Sequence, residues 1–408
     1  MSGTRDDLFY NPFQPGFTDD PYPHYAELRA ADPVHATPFG VWMLFAHDDV
    51  VRVLREPGLS VDERNAHDTP LTELANSVVG PDRRRQGEHA MINRDPPDHT
   101  RLRRLVSKAF TPRTVQQLEG RVQALVDTSL DAAASRGSLE LMRDLAFPLP
   151  FAVISEMLGM PDGVEADEIR SLSGLLVRSL EPVLDPDLLR EIAVAGDQLY
   201  GILSSVITAK RAQPGDDLLS ALIAAEEDGD RLSTEELADQ VALLYVAGHE
   251  TTVNLIGNGI RALLDHPDQL AALRDEPGLI QNAVEEMLRF DSPVQMTRRI
   301  TLQPLEVRGR SIEPGAFVVL GLGSSNRDPD RWGPTADVLD LRRDGASNQL
   351  SFGGGHHYCL GAALARLEAQ VAIGSLVRRF PTIEPTAEPV WNGRINLRGL
   401  ESLPLAVS

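Results

Sequence analysis

The residue of this chain with the greatest chemical potential is Cys359. It is the only cysteine among 408 residues, so the chain can form no internal disulfide and no cysteine-rich zinc site. A solitary cysteine is by default a small, inert hydrophobe. The neighbours of this one argue for more. The segment reads Phe352-Gly-Gly-Gly-His-His-Tyr-Cys359-Leu-Gly361 and runs on into Ala-Ala-Leu-Ala-Arg-Leu-Glu. The consecutive glycines Gly353 to Gly355 reach backbone conformations closed to other residues and let the chain approach a ligand closely. Cys359 stands just before a strong helix pattern. The partial positive charge of a helix start, and its N–H groups, favour a thiolate over a thiol. Such a loop suits a metal-binding sulfur. His356 and His357 raise zinc as the metal, but a fourth ligand and the usual spacing are lacking.

A second constellation lies upstream. Ser233-Thr-Glu-Glu236 is a capping box, and the helical pattern it opens runs to Leu264, before His266-Pro267. Its middle reads Ala247-Gly248-His249-Glu250-Thr251-Thr252. Polar residues at the centre of an apolar helix cost stability, and a glycine there costs about 1 kcal/mol against alanine. Violations of local preference tend to mark functional sites. Helical phase puts Leu244, Ala247, Gly248, Thr251 and Leu255 on one face. That face leaves room for something flat, with a hydroxyl directed at it. A plain helix–helix contact at Ala-Gly, with Thr251 bonded back to the carbonyl four residues earlier, fits equally well.

A third group is His99-Thr-Arg-Leu-Arg103. His99 and Arg103 share a face with Val106 and Phe110, which should point inward. Arg101, Arg104 and Lys108 fall on the opposite face and should meet solvent.

Elements that position these residues can be read along the chain. Val41–Phe45 reads as a strand and Asp48–Arg55 as a short helix. Residues 60–98 are turn-rich, a long loop or a set of short helices. Thr100 to Ala271 is mainly helical. Leu305–Val307 and Ser311–Ile312 flank an Arg-Gly turn, Ala316–Leu320 is a further strand, and a final helix runs from about Gly361 to Arg379. The reading is mainly α with a small β region, without an obvious linker, and so one large domain over residues 1–408.

Composition narrows the function classes. Hydrophobic residues make up 42% and charged residues 24%, an ordinary globular balance. The net charge of -21 disfavours nucleic acid and anionic membranes as partners. Met1 to Tyr10 is polar and charged, with no apolar run suited to a signal peptide or a membrane span. The expectation is a cytoplasmic protein with no membrane attachment.

The cysteine segment closely resembles the haem-binding signature of the cytochrome P450 family, Phe-Gly-x-Gly-x-His-x-Cys-x-Gly. Phe352, Gly353, Gly355, His357, Cys359 and Gly361 fill its fixed positions. Ala247-Gly248-His249-Glu250-Thr251 resembles the family's distal helix and Glu286-Met-Leu-Arg289 its Glu-x-x-Arg pair. Asn326-Arg-Asp-Pro329 and Asp340-Leu-Arg-Arg343 resemble later markers, although Leu339 stands where the family often has Phe. The markers come in the family's order and cover essentially the whole chain.

The resemblance implies the cytochrome P450 fold, a triangular, mainly α domain holding haem b between the long distal helix and the cysteine-ligand helix. It implies Cys359 as the proximal iron ligand, a thiolate that favours O–O cleavage, with Phe352 packed beside the sulfur. His99, Arg103, His357 and Arg299, in preference to Arg298, would hold the propionates. Ala247 and Gly248 would make room for the macrocycle. Glu250 and Thr251 would be the acid–alcohol pair that supplies protons to oxygen activation, Glu250 relaying them from outside. Glu286 and Arg289, completed by Arg343, would be structural. The implied activity is a monooxygenase that inserts one atom of O2 into an apolar small molecule, typically as a hydroxylation in secondary metabolism or catabolism. Electrons would come from NAD(P)H through a ferredoxin reductase and a ferredoxin, which could dock on the basic face of Arg101, Arg104 and Lys108. By the same analogy, residues 60–95, about 160–195, Leu243–Thr252, Pro293–Thr297 and the Leu397–Leu400 turn line the pocket. A peroxide-driven haem-thiolate enzyme and a non-catalytic haem-binding or gas-sensing protein are the alternatives. The retained Glu250–Thr251 pair speaks against both.

Overall fold

The computed structural model describes residues 8–81, 87–108, 110–160, 164–227 and 230–408. They form two compact units. One comprises the chain up to His67, Val126–Ala146 and Val253–Ser408, and the other comprises Asp68–Leu125 and Phe147–Thr252.

The first unit is built on a five-stranded sheet. Its strand order is Val34–Ala36, Val41–Leu44, Phe317–Gly321, Met296–Thr301, Leu59–Ser60. Val318 lies opposite Trp42 on its parallel neighbour and opposite Arg299 on its antiparallel one. Alternation along the strands sends Leu44, Val318 and Leu320 into one apolar cluster with Val50, Val53 and Leu54. Met43, Val319 and Met296 face the other cluster, with Tyr22, Tyr25 and Leu28. The expected strand at 316–320 is found one residue later, and the 41–45 strand and the helix after it lie where expected, at Val41–Leu44 and His47–Arg55. The hairpin of Leu305–Val307 and Arg310–Ile312 turns at Arg308 and Gly309, both at positive φ (49° and 76°), the geometry of a tight two-residue hairpin. The fourth strand of the sheet, Met296–Thr301, with its Arg298-Arg299 pair, was not delimited by any sequence pattern.

Behind this sheet the helix Ile280–Phe290 carries a buried ionic network. Glu286 and Arg289 are both fully buried. Arg289 donates through Nε to Glu286 Oε2 at 2.7 Å and through Nη2 to Oε1 at 2.8 Å. Arg343 donates through Nε to both oxygens, at 3.0 and 3.1 Å. The remaining Arg289 donors reach the carbonyls of Asn326, Ala336 and Val338. Two cations and one anion are thus satisfied almost entirely by each other and by backbone, which is what burial of charge requires. Leu339 fills the position of the family's usual Phe and is itself buried.

The second unit is helical. Its longest described helices, Pro186–Ala212 and the start of Thr234–Asp265, follow Asp185, whose side chain accepts from the N–H of Asp187, and Ser233, which forms the expected capping box with Glu236. Pro186–Ala212 is long and apolar enough by composition to cross a membrane, and it buries Ile192, Ala195, Leu199, Leu203 and Ile207 within the protein. The long helix Thr234–Asp265 passes from this unit into the first at Thr252–Val253. In this unit Gln240, fully buried, accepts from the N–H of Met91 at 2.9 Å and donates to the His89 carbonyl at 2.7 Å. The turn-rich 60–98 stretch is a set of short helices, including Pro70–Val79; its residues 82–86, which fall in an expected pocket-lining segment, lie outside the described residues, as do 161–163.

Candidate active site

In the first unit, the cysteine loop hangs on the Glu286–Arg289 network. Arg289 holds the carbonyl of Asn326. Asn326 in turn accepts from the N–H of Leu350 at 2.8 Å and donates to the Ser351 hydroxyl at 2.9 Å. Ser351 Oγ donates to the Leu288 carbonyl at 2.7 Å. The chain therefore enters Phe352 from a fixed base. Beyond it, the N–H of Gly353 donates to Leu350 O at 2.8 Å and that of Cys359 donates to Phe352 O at 3.0 Å. Gly353 and Gly355 both sit at φ of 68°, open to glycine at no steric cost. A Cβ at Gly355 would overlap the Leu54 carbonyl oxygen, so the loop presses directly on the end of helix His47–Arg55. Gly353 and Gly355 of the signature are thus demanded by backbone geometry.

The outcome is an exposed sulfur on a rigid loop. Cys359 is solvent-accessible and makes no disulfide. Gly361 caps the helix Ala362–Arg379, so the sulfur precedes a helix of 18 residues whose first-turn N–H groups face the loop end. An exposed cysteine at such a place has the access and the local field that a thiolate ligand needs.

Phe352 meets Tyr358 edge-on, with ring centroids 6.2 Å apart, and carries the Arg366 guanidinium 4.5 Å above its ring. Arg366 also pairs with Glu285 at 2.5 Å and donates to Tyr358 Oη at 3.3 Å. Arg366 was not singled out from sequence. Its signal is visible only afterwards: it lies seven residues after Cys359, and Glu285 is the neighbour of Glu286. His357 lies on the same loop, half-buried, its ring 4.5 Å from that of His356. Arg299 is buried on the inner strand Met296–Thr301 and donates to its neighbour's carbonyl at 2.8 Å, whereas Arg298 is solvent-facing and paired with Glu63. A buried, always-charged arginine agrees with the preference for Arg299 over Arg298.

In the second unit, the middle of the long helix is open where its surroundings are closed. Leu244, Tyr245, His249, Glu250 and Thr252 are buried, yet Ala247 is exposed and Gly248 and Thr251 are half-exposed. The two readings of this face both hold in part. Gly248 does pack closely: a Cβ there would touch Ile154 at 3.3 Å. Thr251 does bond back, donating to the Ala247 carbonyl at 3.2 Å. Ala247 and Thr251 nevertheless present an uncovered strip one turn long, which a flat group could occupy.

Glu250 is buried. Its Oε2 lies 3.9 Å from His249 Nε2. His249 is fully buried among Phe147, Phe151 and Tyr245, with ring centroids 5.6, 5.9 and 6.2 Å away. Its Nδ1 lies 2.8 Å from the Tyr245 carbonyl. A carbonyl only accepts, so Nδ1 carries a proton, and Nε2 is turned toward Glu250. Sequence reasoning assigned His249 no role, because only the fold shows the aromatic cage.

The helix Asp98–Ser107 buries His99 and Val106 and leaves Arg103 and Phe110 half-buried, the expected inward face. Arg104 and Lys108 are exposed as expected. Arg101 departs from expectation: it is half-buried and bound to Glu236, the capping-box glutamate of the long helix. Residue phase placed Arg101 on the outer face correctly but could not foresee a carboxylate waiting there.

Features within each unit fit the implied cofactor: in the first, an exposed sulfur on a built loop and a buried arginine on an inner strand; in the second, a helix strip with little side-chain bulk. Comparisons with known proteins agree. The family described as Cytochrome P450 matches residues 66–394. Cytochrome P450 monooxygenase PikC of Streptomyces venezuelae is 44% identical over 400 residues, covering 95% of this chain and 91% of that protein. Vitamin D(3) 25-hydroxylase of Pseudonocardia autotrophica is 44% identical over 403 residues, covering 97% and 96%. The solved structure of epothilone B-bound cytochrome P450epoK superposes with a TM-score of 0.89 at 33% identity, covering 98% of this chain and all of that one. The mainly helical architecture with its small sheets, the cysteine signature in its built loop and these likenesses lead to one assignment: the chain belongs to the cytochrome P450 family and is a haem-dependent monooxygenase.

Proposed function

We propose that the chain, as a single P450 domain over residues 1–408, binds haem b through Cys359 and hydroxylates an apolar small molecule of secondary metabolism in the cytoplasm, with electrons delivered by a ferredoxin. The observation that carries this is the display of Cys359, the only cysteine, on a loop locked by glycine geometry and a buried charge network. Haem held there supplies the redox chemistry that splits O2, sending one oxygen atom to the substrate and the other to water with two electrons and two protons.

The protein's own groups then divide the remaining work. His99, Arg103, Arg299 and His357 would neutralise the propionates, Phe352 would flank the sulfur, and Gly353 and Gly361 would let the backbone come close. Ala247 and Gly248 would leave room for the macrocycle. Thr251 Oγ1 would hold a water or the oxygen end by hydrogen bond, and the Glu250 carboxyl, beside His249 Nε2, would exchange protons with it. A buried acid needs water or a side-chain shift to reach bulk. The acidic surface, at a net charge of -21, suits a cytoplasmic protein. The exposed Arg104 and Lys108 give an acidic ferredoxin a local basic patch on it. Secondary metabolism is favoured by a relative named for polyketide biosynthesis, PksS of Bacillus subtilis, and by the neighbour solved with epothilone B bound.

The test is turnover of a macrolide and terpenoid panel, with ferredoxin, reductase and NAD(P)H in one arm and hydrogen peroxide alone in the other. Product in the first arm only is expected. Equal product with peroxide alone would assign a peroxygenase instead.

A further inference from the structure

Past Thr251 the long helix carries two buried amides that the proton chemistry does not use. Asn254 and Asn258 are one turn apart, on one face, and both are buried. Asparagine is a poor helix former, and a buried amide costs free energy unless it is hydrogen-bonded. Both are turned to the same target within the first unit. Asn254 Nδ2 donates to the Leu397 carbonyl at 3.4 Å and Asn258 Nδ2 to the Arg398 carbonyl at 3.1 Å. The 392–400 turn is held from other sides as well. Asn392 Nδ2 donates to the same Leu397 carbonyl at 2.9 Å, and the N–H of Gln295 donates to Asn396 O at 2.8 Å. The Arg398 side chain is anchored on Asp291 at 2.7 Å. Gly399 completes the fit, because a Cβ there would fall inside the Asn254 side chain.

We infer that Asn254, Asn258 and Gly399 are positioning residues that set how far Leu397 projects, and thereby fix which part of a substrate the site accepts. The inference rests on the reading of the Leu397–Leu400 turn as a wall of the substrate pocket. It gives that wall a mechanism: its depth is referenced to the very helix that carries Glu250 and Thr251, by amide-to-carbonyl bonds made out of reach of the substrate. A backbone carbonyl anchored in this way cannot drift without leaving a buried donor unpaired, and an unpaired buried donor carries its full desolvation penalty. Specificity is then encoded partly by residues that never touch the substrate.

The test uses haem-loaded protein and two iron-binding probes, imidazole and 4-phenylimidazole, read by spectral titration. Asn254→Ala, Asn258→Ala and Asn392→Ala are compared with wild type, with Gly399→Ala as the inverse perturbation. Hydrogen exchange of the 392–400 amides is followed in the same samples. We expect faster exchange in the turn for the three asparagine variants. The dissociation constant for 4-phenylimidazole should shift by about tenfold, while that for imidazole, too small to feel the wall, stays within about twofold. Parallel shifts for both probes would show general damage and overturn the inference, as would faster exchange with unchanged 4-phenylimidazole binding. If Gly399→Ala does not accumulate, the asparagine variants decide alone. The carbon monoxide band of the wild type tests the monooxygenase reading, and the ratio of the two probes tests the clamp with that band in place.

Discussion

The loop that carries Cys359 and the middle of the long helix solve opposite problems. The loop is over-determined. Its base is tied to Asn326, Ser351 and Leu288, its glycines are locked by positive φ and by the Leu54 carbonyl, and the whole rests on a buried Glu286–Arg289–Arg343 cluster. The helix middle is under-filled. Around Ala247 it presents a strip with little side chain, and the Thr251 hydroxyl on that strip is held by a 3.2 Å bond to the Ala247 carbonyl of its own helix. A metal ligand must be held still, so the fold spends its buried charge and its glycines there. A site that handles protons and small molecules needs room, so the helix omits bulk there. Changes at the loop should therefore act on stability and cofactor retention, and changes at the helix on chemistry with the fold intact.

The largest effect is expected at the base of the loop. Arg289→Ala leaves Glu286 charged and buried with one partner fewer, a loss of about 3–5 kcal/mol. The protein should accumulate poorly and keep little haem, read by yield and by the haem-to-protein absorbance ratio. Normal haem content in this variant would mean that the network does not position the loop. Gly355→Ala comes next. It combines a strained φ with overlap on Leu54, for about 1–3 kcal/mol or more, measured as a lowered melting temperature with residual haem.

Thr251→Ala should do the reverse. Its melting temperature should stay within a few degrees of wild type while product per NADPH consumed falls by about tenfold, the balance appearing as peroxide. A coupled Thr251→Ala enzyme would place proton delivery elsewhere and erase the contrast between the two regions.

The smallest effect is expected from Glu368, on the cysteine helix. It is buried, its Oε2 has no hydrogen-bond partner among the described residues, and burial pushes its carboxyl well above the ordinary carboxylate range. A carboxyl whose folded-state value is raised contributes stability that is complete below the ordinary carboxyl range and is lost as pH rises toward the folded value. Glu368→Gln removes that loss. Its melting temperature should match or fall below wild type near pH 5 and gain by a few degrees toward pH 8. A gap independent of pH would show that Glu368 does not titrate between the two states.

Much of this was legible from residues alone, and the limits have physical causes. Ser233 and Glu236 announced the long helix because capping chemistry is local. The cysteine loop was legible because three glycines in a row signal a demand of the backbone itself, and Gly355 against Leu54 supplies the physical reason for one of them. The ordering of Arg299 and Arg298 came from family position; in the fold Arg299 is the buried one of the two. What escaped depends on contacts far apart in sequence. Nothing near Arg101 predicts Glu236, 135 residues on, nor does the long helix alone reveal the cage of Phe147 and Phe151 around His249. Helical phase set Glu250 off the Thr251 face, but phase reports the direction of a side chain and not what covers it, so the burial of Glu250 shows only in the fold.

The account stands on Cys359 as a thiolate ligand of iron. The most direct measurement is the Soret band of the purified, reduced protein under carbon monoxide, in wild type and in Cys359→Ser. The account predicts the strongly red-shifted band of a thiolate-ligated ferrous carbonyl in wild type and its loss in the variant. A wild-type band at the shorter wavelength of a neutral ligand, in folded and freshly prepared protein, or a red-shifted band that survives in Cys359→Ser, would contradict it.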